Sequence, residues 1–163
     1  MKNNKGILFT LISLGALFYF FANFQRIAIP GAVFDLLQQE LAVSAPSITA
    51  FGAIFMYLYA VNQLIIGVLV DRYGGLRVML TGGIILGLGA LLFPISTNLP
   101  LMYFSRVLVG VGGSCFYLSL IRELREYFSD KNFGIAISVM LCIGYCGGIA
   151  ANAPFVFMMK YMN

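Results

Sequence analysis

The chain has 163 residues, about the length of one domain. Hydrophobic residues make up 61% of it and charged residues 10%, where a globular chain carries about a quarter charged. That much apolar surface cannot be hidden in a soluble fold of this size, and a disordered chain would be poor in such side chains. The class left is integral membrane protein. The chain has no histidine, which excludes His triads, His metal sites and imidazole switches. Cys115, Cys142 and Cys146 lie inside apolar runs and read as small, buried, reduced side chains. Cys142 and Cys146 lack the further partners a metal needs, so no metal or other cofactor is expected.

Five apolar segments approach the roughly 20 residues that cross a bilayer as a helix: 7–29, 48–70, 78–96, 99–121 and 133–157. Lys2 and Lys5 before the first resemble the start of a signal peptide. The apolar run from Gly6 to Ala22 is too long for one and no cleavage site follows, so this segment reads as a retained membrane helix. Backbone groups in lipid must pair internally, which makes the segments helices, and the alternation of a membrane β-barrel is missing. The expected fold is all-α and multi-pass.

Charges set the orientation. Lys2, Lys5, Arg72, Arg77, Arg122, Arg125 and Lys131 fall on one side, Lys160 on the other, and Arg26 and Arg106 inside segments. The positive-inside rule places the N-terminus and the connections after the second and fourth segments in the cytoplasm. Basic residues beside apolar runs suit a membrane, not nucleic acid. Pro30 to Ser47 forms a longer external link. Asp35, Glu40, Glu123, Glu126 and Asp130 are expected in loops, no nucleophile–base pair stands out, and no phosphate-binding lysine loop exists. The chain is not expected to be an enzyme or a nucleotide-driven pump.

Polar residues inside the segments mark candidate sites. In the first, Asn23 and Arg26 share a face. Arg26 is either an anion ligand, using two parallel guanidinium bonds, or an interfacial anchor near the helix end. In the second, Tyr59, Gln63 and Gly67 form a stripe that faces a cavity or bonds to a neighbouring helix. Asp71, Arg72, Gly74, Gly75 and Arg77 form a tight turn, read as a breakable cytoplasmic latch or as ordinary loop charges. Gly67 permits close helix approach, and Asp71 is placed to ion-pair or to accept from a helix N-terminus. In the fourth, Arg106, Gly110, Gly113 and Tyr117 share a stripe. Arg106 is a structural or gating group, a substrate contact, or a side chain reaching out to the interface. In the fifth, Gly134, Ser138, Tyr145, Gly148 and Asn152 share a face. Gly144 and Gly148 suit helix packing there, with Tyr145 and Asn152 as cavity candidates.

These stretches resemble the major facilitator superfamily. Gly67, Leu69, Asp71, Arg72, Gly74 and Met79 occupy positions of its signature between helices 2 and 3, G-x-L-a-D-r-x-G-r-r-x-x-l. The two basic positions after the second glycine are Gly75 and Leu76 here, with Arg77 just beyond. Arg106, Gly110 and Gly112 match the helix-4 pattern R-x-x-x-G-x-G, and Tyr59-Ala60 with Gln63 resembles Y-A-x-x-Q. The run Phe21 to Pro30 with Arg26 resembles the end of helix 1 in anion:cation symporters and organophosphate:phosphate antiporters, where an arginine binds the substrate's anionic group. The last segment is loosely similar to the glycine-proline helix 5 of antiporters, without the G-P-x-x-G-G order.

The resemblance implies that residues 1–163 form a partial transmembrane domain, about five helices of the N-terminal six-helix bundle of a secondary transporter. It implies substrate-binding roles for Arg26, Asn23, Tyr59, Gln63, Tyr117, Tyr145 and Asn152. Gating roles follow for Gly67, Asp71, Arg72, Gly74, Arg77, Arg106 and Gly110. The expected partners are a small, anionic solute, the lipid bilayer, and a C-terminal half or another chain, with a proton or sodium as coupling ion. The expected location is the plasma or inner membrane. The chain is expected to be a truncated product, a split-gene subunit or a fragment; the alternative is a packing or scaffold protein that does not transport.

Overall fold

The protein is described by a computed structural model covering residues 5–40 and 43–162. All regular elements among these residues are helical: α1 Lys5–Ile27, a π-helical turn Ala28–Ala32, α2 Phe34–Glu40, α3 Ala45–Tyr73, α4 Gly75–Ile95, α5 Leu99–Tyr127, α6 Asp130–Ala150 and α7 Ala153–Met162. Among the described residues, Ala45–Tyr73, Gly75–Ile95, Leu99–Tyr127 and Asp130–Met158 are long and apolar enough to cross a membrane. The 23 residues of α1 also reach about 34 Å, the length of a crossing.

Capping residues carry the helices past the apolar segments. The α3 helix starts at Ser44, whose hydroxyl accepts from the Ser47 N–H at 3.4 Å, with Pro46 in the first turn. At its far end Gly74 adopts φ 89°, a backbone that only glycine takes readily. The α5 helix starts at Asn98, whose Oδ1 accepts from the Leu101 N–H at 2.9 Å. It runs to Tyr127 because Arg122, Glu123, Leu124, Arg125 and Glu126 all favour helix. The expectation that the acidic residues lie in loops is therefore corrected. Glu123 and Glu126 are in α5, Asp35 and Glu40 in α2, and Asp130 opens α6.

Prolines shape the two irregular points. Pro30 has no N–H to offer the Arg26 carbonyl, and the chain widens into the π turn, closed by Val33 N–H to Ala28 O at 3.1 Å. Pro154 likewise cannot donate to the Ala150 carbonyl. The segment expected as one helix over 133–157 breaks at Ala151 and Asn152 and resumes as α7.

Small buried residues put α5 at the centre. Ser105, Gly110, Gly112, Gly113, Ser114 and Ser119 leave room for α4, α3 and α1 to close on it, and α6 packs on α1. Where α4 crosses α5, a Cβ on Gly112 would lie 2.6 Å from the Gly82 carbonyl oxygen, so the backbones touch. Tyr19, Phe55, Met79, Leu86, Phe116 and Leu120 fill the main core. A second cluster, Ile29, Leu37, Ile48, Phe51, Phe93 and Met102, seals the end that carries α2. Outward-facing Tyr57, Leu64, Val68, Ile84 and Leu91 are exposed, as a lipid-facing surface requires. Cys115 is buried, but Cys142 and Cys146 are exposed, against expectation, because Gly144, Gly147 and Gly148 occupy the inward side of α6.

Candidate functional site

The α1 and α3 helices bring polar side chains to one small cleft. It is lined by Tyr19, Ala22, Asn23 and Arg26 from α1 and by Phe55 and Tyr59 from α3. Of the expected substrate-binding residues, Asn23, Arg26 and Tyr59 therefore meet. Asn23 is buried and its amide donates back to the Tyr19 carbonyl at 3.0 Å, which leaves its side-chain oxygen available. The Arg26 side chain is half-buried in the last turn of α1, with no ion pair or hydrogen bond among the described residues. Cations are favoured at that end of a helix, which lowers the cost of placing it there.

Aromatic rings build the walls. Phe55 and Tyr59 stack with centroids 6.0 Å apart, and Tyr19 stacks on Tyr117 at 6.4 Å. Tyr117 thus borders the site through Tyr19, whereas Tyr145 on α6 is exposed. Four expected residues, Gln63, Tyr117, Tyr145 and Asn152, do not line the cleft. Gln63 donates from its amide to the Ser114 carbonyl at 3.5 Å, a helix–helix contact, and the Asn152 amide donates to the Gly148 carbonyl at 3.0 Å at the α6–α7 break. Tyr19 and Phe55 were not singled out from sequence. The only signal was their spacing, since Tyr19 stands four before Asn23 and Phe55 four before Tyr59.

Arg106 stands behind this cleft. It is fully buried, so the reading in which it reaches out to the interface does not hold. Its Nη2 donates to the Gln25 carbonyl at 3.1 Å and its guanidinium lies 5.7 Å from the Phe55 ring centroid. The other two nitrogens, Nε and Nη1, have no hydrogen-bond partner among the described residues. Arg106 therefore ties α5 to the end of α1, one residue before Arg26. Gly110 lets α3 close on α5 beside it, since a Cβ there would come within 3.3 Å of the Phe55 carbonyl oxygen.

The turn between α3 and α4 is held from α5. Arg122 donates to the Val70 carbonyl at the end of α3 and lies 3.8 Å from Asp71. Its neighbour Glu123 accepts from the Leu76 N–H at 2.8 Å, at the start of α4. A cation thus meets a helix C-terminus and an anion a helix N-terminus, both favourable to the helix dipoles. Asp71 was expected to ion-pair or to serve a helix N-terminus; it pairs with Arg122 while remaining exposed, and Glu123 fills the second place. Arg72 is exposed, 5.3 Å over the Tyr73 ring, and Arg77 is exposed. The close-approach role expected of Gly67 is corrected: a Cβ there would meet Leu118 at 3.9 Å, an ordinary contact.

Described residues that are helical throughout their regular elements, with apolar helices long enough to cross a membrane and polar groups gathered between two of them, define a multi-pass membrane protein with a small polar cleft between helices. The chain belongs to the Major Facilitator Superfamily, a family of transporters and not of enzymes, whose family model matches residues 12–158. It is similar to Multidrug resistance protein 2 of Bacillus subtilis, 30% identical over 61% of this chain and 29% of the relative. The 3-(3-hydroxy-phenyl)propionate transporter of Escherichia coli is 33% identical over 50% of this chain and 20% of that one. The glucose transporter GlcP of Staphylococcus epidermidis is 27% identical over 95% of this chain and 34% of that one. The chain thus spans about a fifth to a third of the length of these relatives. No solved structure matches it significantly.

Proposed function

We propose that the chain forms one wall of the substrate path in a secondary transporter for a small organic anion, which works by alternating access between two halves. The observation that carries this reading is Arg26, a permanently charged group in a cleft with no carboxylate paired to it among the described residues. A guanidinium so placed attracts a carboxylate or phosphate, and two parallel bonds favour Arg over Lys. Tyr19, Phe55 and Tyr59 offer rings for the organic part, and the Asn23 side-chain oxygen offers an acceptor. The Escherichia coli relative is named for an aromatic carboxylate, which supports the anion reading. A C-terminal half or second chain completes the path, a proton or sodium ion drives it, and the N-terminus lies in the cytoplasm of a plasma or inner membrane.

The test is binding and uptake by the chain reconstituted with the half that completes it. Phenylpropionate should bind, Arg26→Lys should weaken binding about tenfold, and Arg26→Ala should weaken it further. Glucose serves as the neutral control. An anchor role expects lysine to substitute freely. Equal affinity of wild type and Arg26→Lys across a panel of organic anions would leave Arg26 as an anchor.

A further inference from the structure

The α3 and α4 helices touch each other lightly, because each packs mainly on α5. A groove of about 380 Å³ opens between them toward the outside of the bundle. Its sides are aliphatic, with Ile66 and Leu69 from α3 and Val78 and Ile85 from α4, and α5 floors it with Cys115. At the end next to the α3–α4 turn stand Tyr73 and Arg77. None of the residues lining the groove is acidic. Of the acids at the α3–α4 turn, Asp71 faces Arg122 at 3.8 Å and Glu123 accepts from the Leu76 N–H. Arg77 is exposed and forms no ion pair among the described residues.

We infer that this groove is a binding site for an anionic phospholipid, with the phosphate on Arg77 and one acyl chain along α4 toward Ile85. From Arg77 to Ile85 the helix rises about 12 Å, so the groove runs from the level of a headgroup into the hydrocarbon. Tyrosine and arginine are the side chains that hold this interfacial level. A basic mouth whose lining carries no acid selects a lipid of net negative charge over a zwitterionic one of the same chain length. The aliphatic length selects a lipid over a soluble phosphate ester, which would leave that surface uncovered. The site is separate from the Arg26 cleft and does not depend on what the chain transports.

Native mass spectrometry of the detergent-purified full chain tests it, with dioleoyl phosphatidylglycerol and dioleoyl phosphatidylcholine as probes. Phosphatidylglycerol should bind about fivefold more tightly, as one basic contact at a membrane surface predicts. Arg77→Gln should abolish the difference and Arg77→Lys should keep most of it. Thr81→Trp, at an exposed position lining the groove, should weaken both lipids. Millimolar glycerol phosphate should displace neither. Equal binding of the two lipids to the wild type overturns the proposal. So does a preference that survives Arg77→Gln, binding untouched by Thr81→Trp, or displacement by glycerol phosphate.

Discussion

Two arginines inside membrane segments differ in what surrounds them. Arg106 is fully buried, with one bond to the Gln25 carbonyl and two nitrogens without hydrogen-bond partners among the described residues. Insertion of an arginine in mid-membrane costs about 3 kcal/mol, and a hydrogen bond from a charged donor contributes about 1.5–3 kcal/mol. These terms nearly cancel. Arg106→Met, which keeps the bulk and removes the unpartnered nitrogens, should therefore change stability by less than about 1 kcal/mol. Arg106→Lys keeps a buried charge but loses the reach to the Gln25 carbonyl and the guanidinium's contact with the Phe55 ring, and should cost on the order of 2 kcal/mol. Thermal unfolding of the purified variants checks the order. Lysine tolerated better than methionine would place this side chain at an interface. Arg26, four residues from Pro30, looks similar in sequence, yet it lines a cleft and has no such tie among the described residues.

Among the helices, glycines mark where backbones meet, though only some of them. A Cβ on Gly112 would press on the Gly82 carbonyl and the Leu86 backbone, whereas one on Gly87 would meet nothing within 4 Å. Gly112→Ala should thus cost about 1–3 kcal/mol by forcing α4 off α5, and Gly87→Ala should be neutral or stabilise by up to about 1 kcal/mol. Comparable losses at both positions, read from unfolding midpoints, would contradict the α4–α5 crossing. The turn between α3 and α4 gives a second ordering. Glu123→Ala removes the acceptor of the Leu76 N–H and should cost about 1 kcal/mol, while Asp71→Asn loses an exposed pair at 3.8 Å and should cost less than about 0.5 kcal/mol. In the completed transporter, Asp71→Asn should still depress uptake at equal membrane abundance, because a weak contact can bias two states that lie close in energy. Unchanged uptake would make Asp71 a plain surface charge.

For the molecule as a whole, the prediction is topology. Seven basic residues flank one side of the five segments and Lys160 the other. Reporter fusions after Leu76 and Glu126 should read cytoplasm, and fusions near Glu40 and Asn98 the outside. A cytoplasmic reading near Glu40 would invert the assignment. The same structure explains why one helix is central. The small residues of α5 let three neighbours close on it at once, and its long basic and acidic end then reaches the α3–α4 turn.

The membrane class, the helical crossings and the family signature were legible in the sequence, because apolar run length, turn glycines and local charge are properties of neighbouring residues. Asn23, Arg26 and Tyr59 could be named for the same reason: a polar group in an apolar run stands out. Which of them meet was decided by tertiary packing. The α1 and α3 helices are joined by a link, not by a pattern, and only their packing showed that Tyr19 and Phe55 wall the cleft while Gln63 turns to Ser114. The roles of Arg122 and Glu123 depend on partners 52 and 47 residues away, which no local pattern encodes. The exposure of Cys142 and Cys146 followed from which side of α6 its glycines pressed against α1. Periodicity places residues on a face, but the neighbour that face meets is chosen by the fit of whole helices.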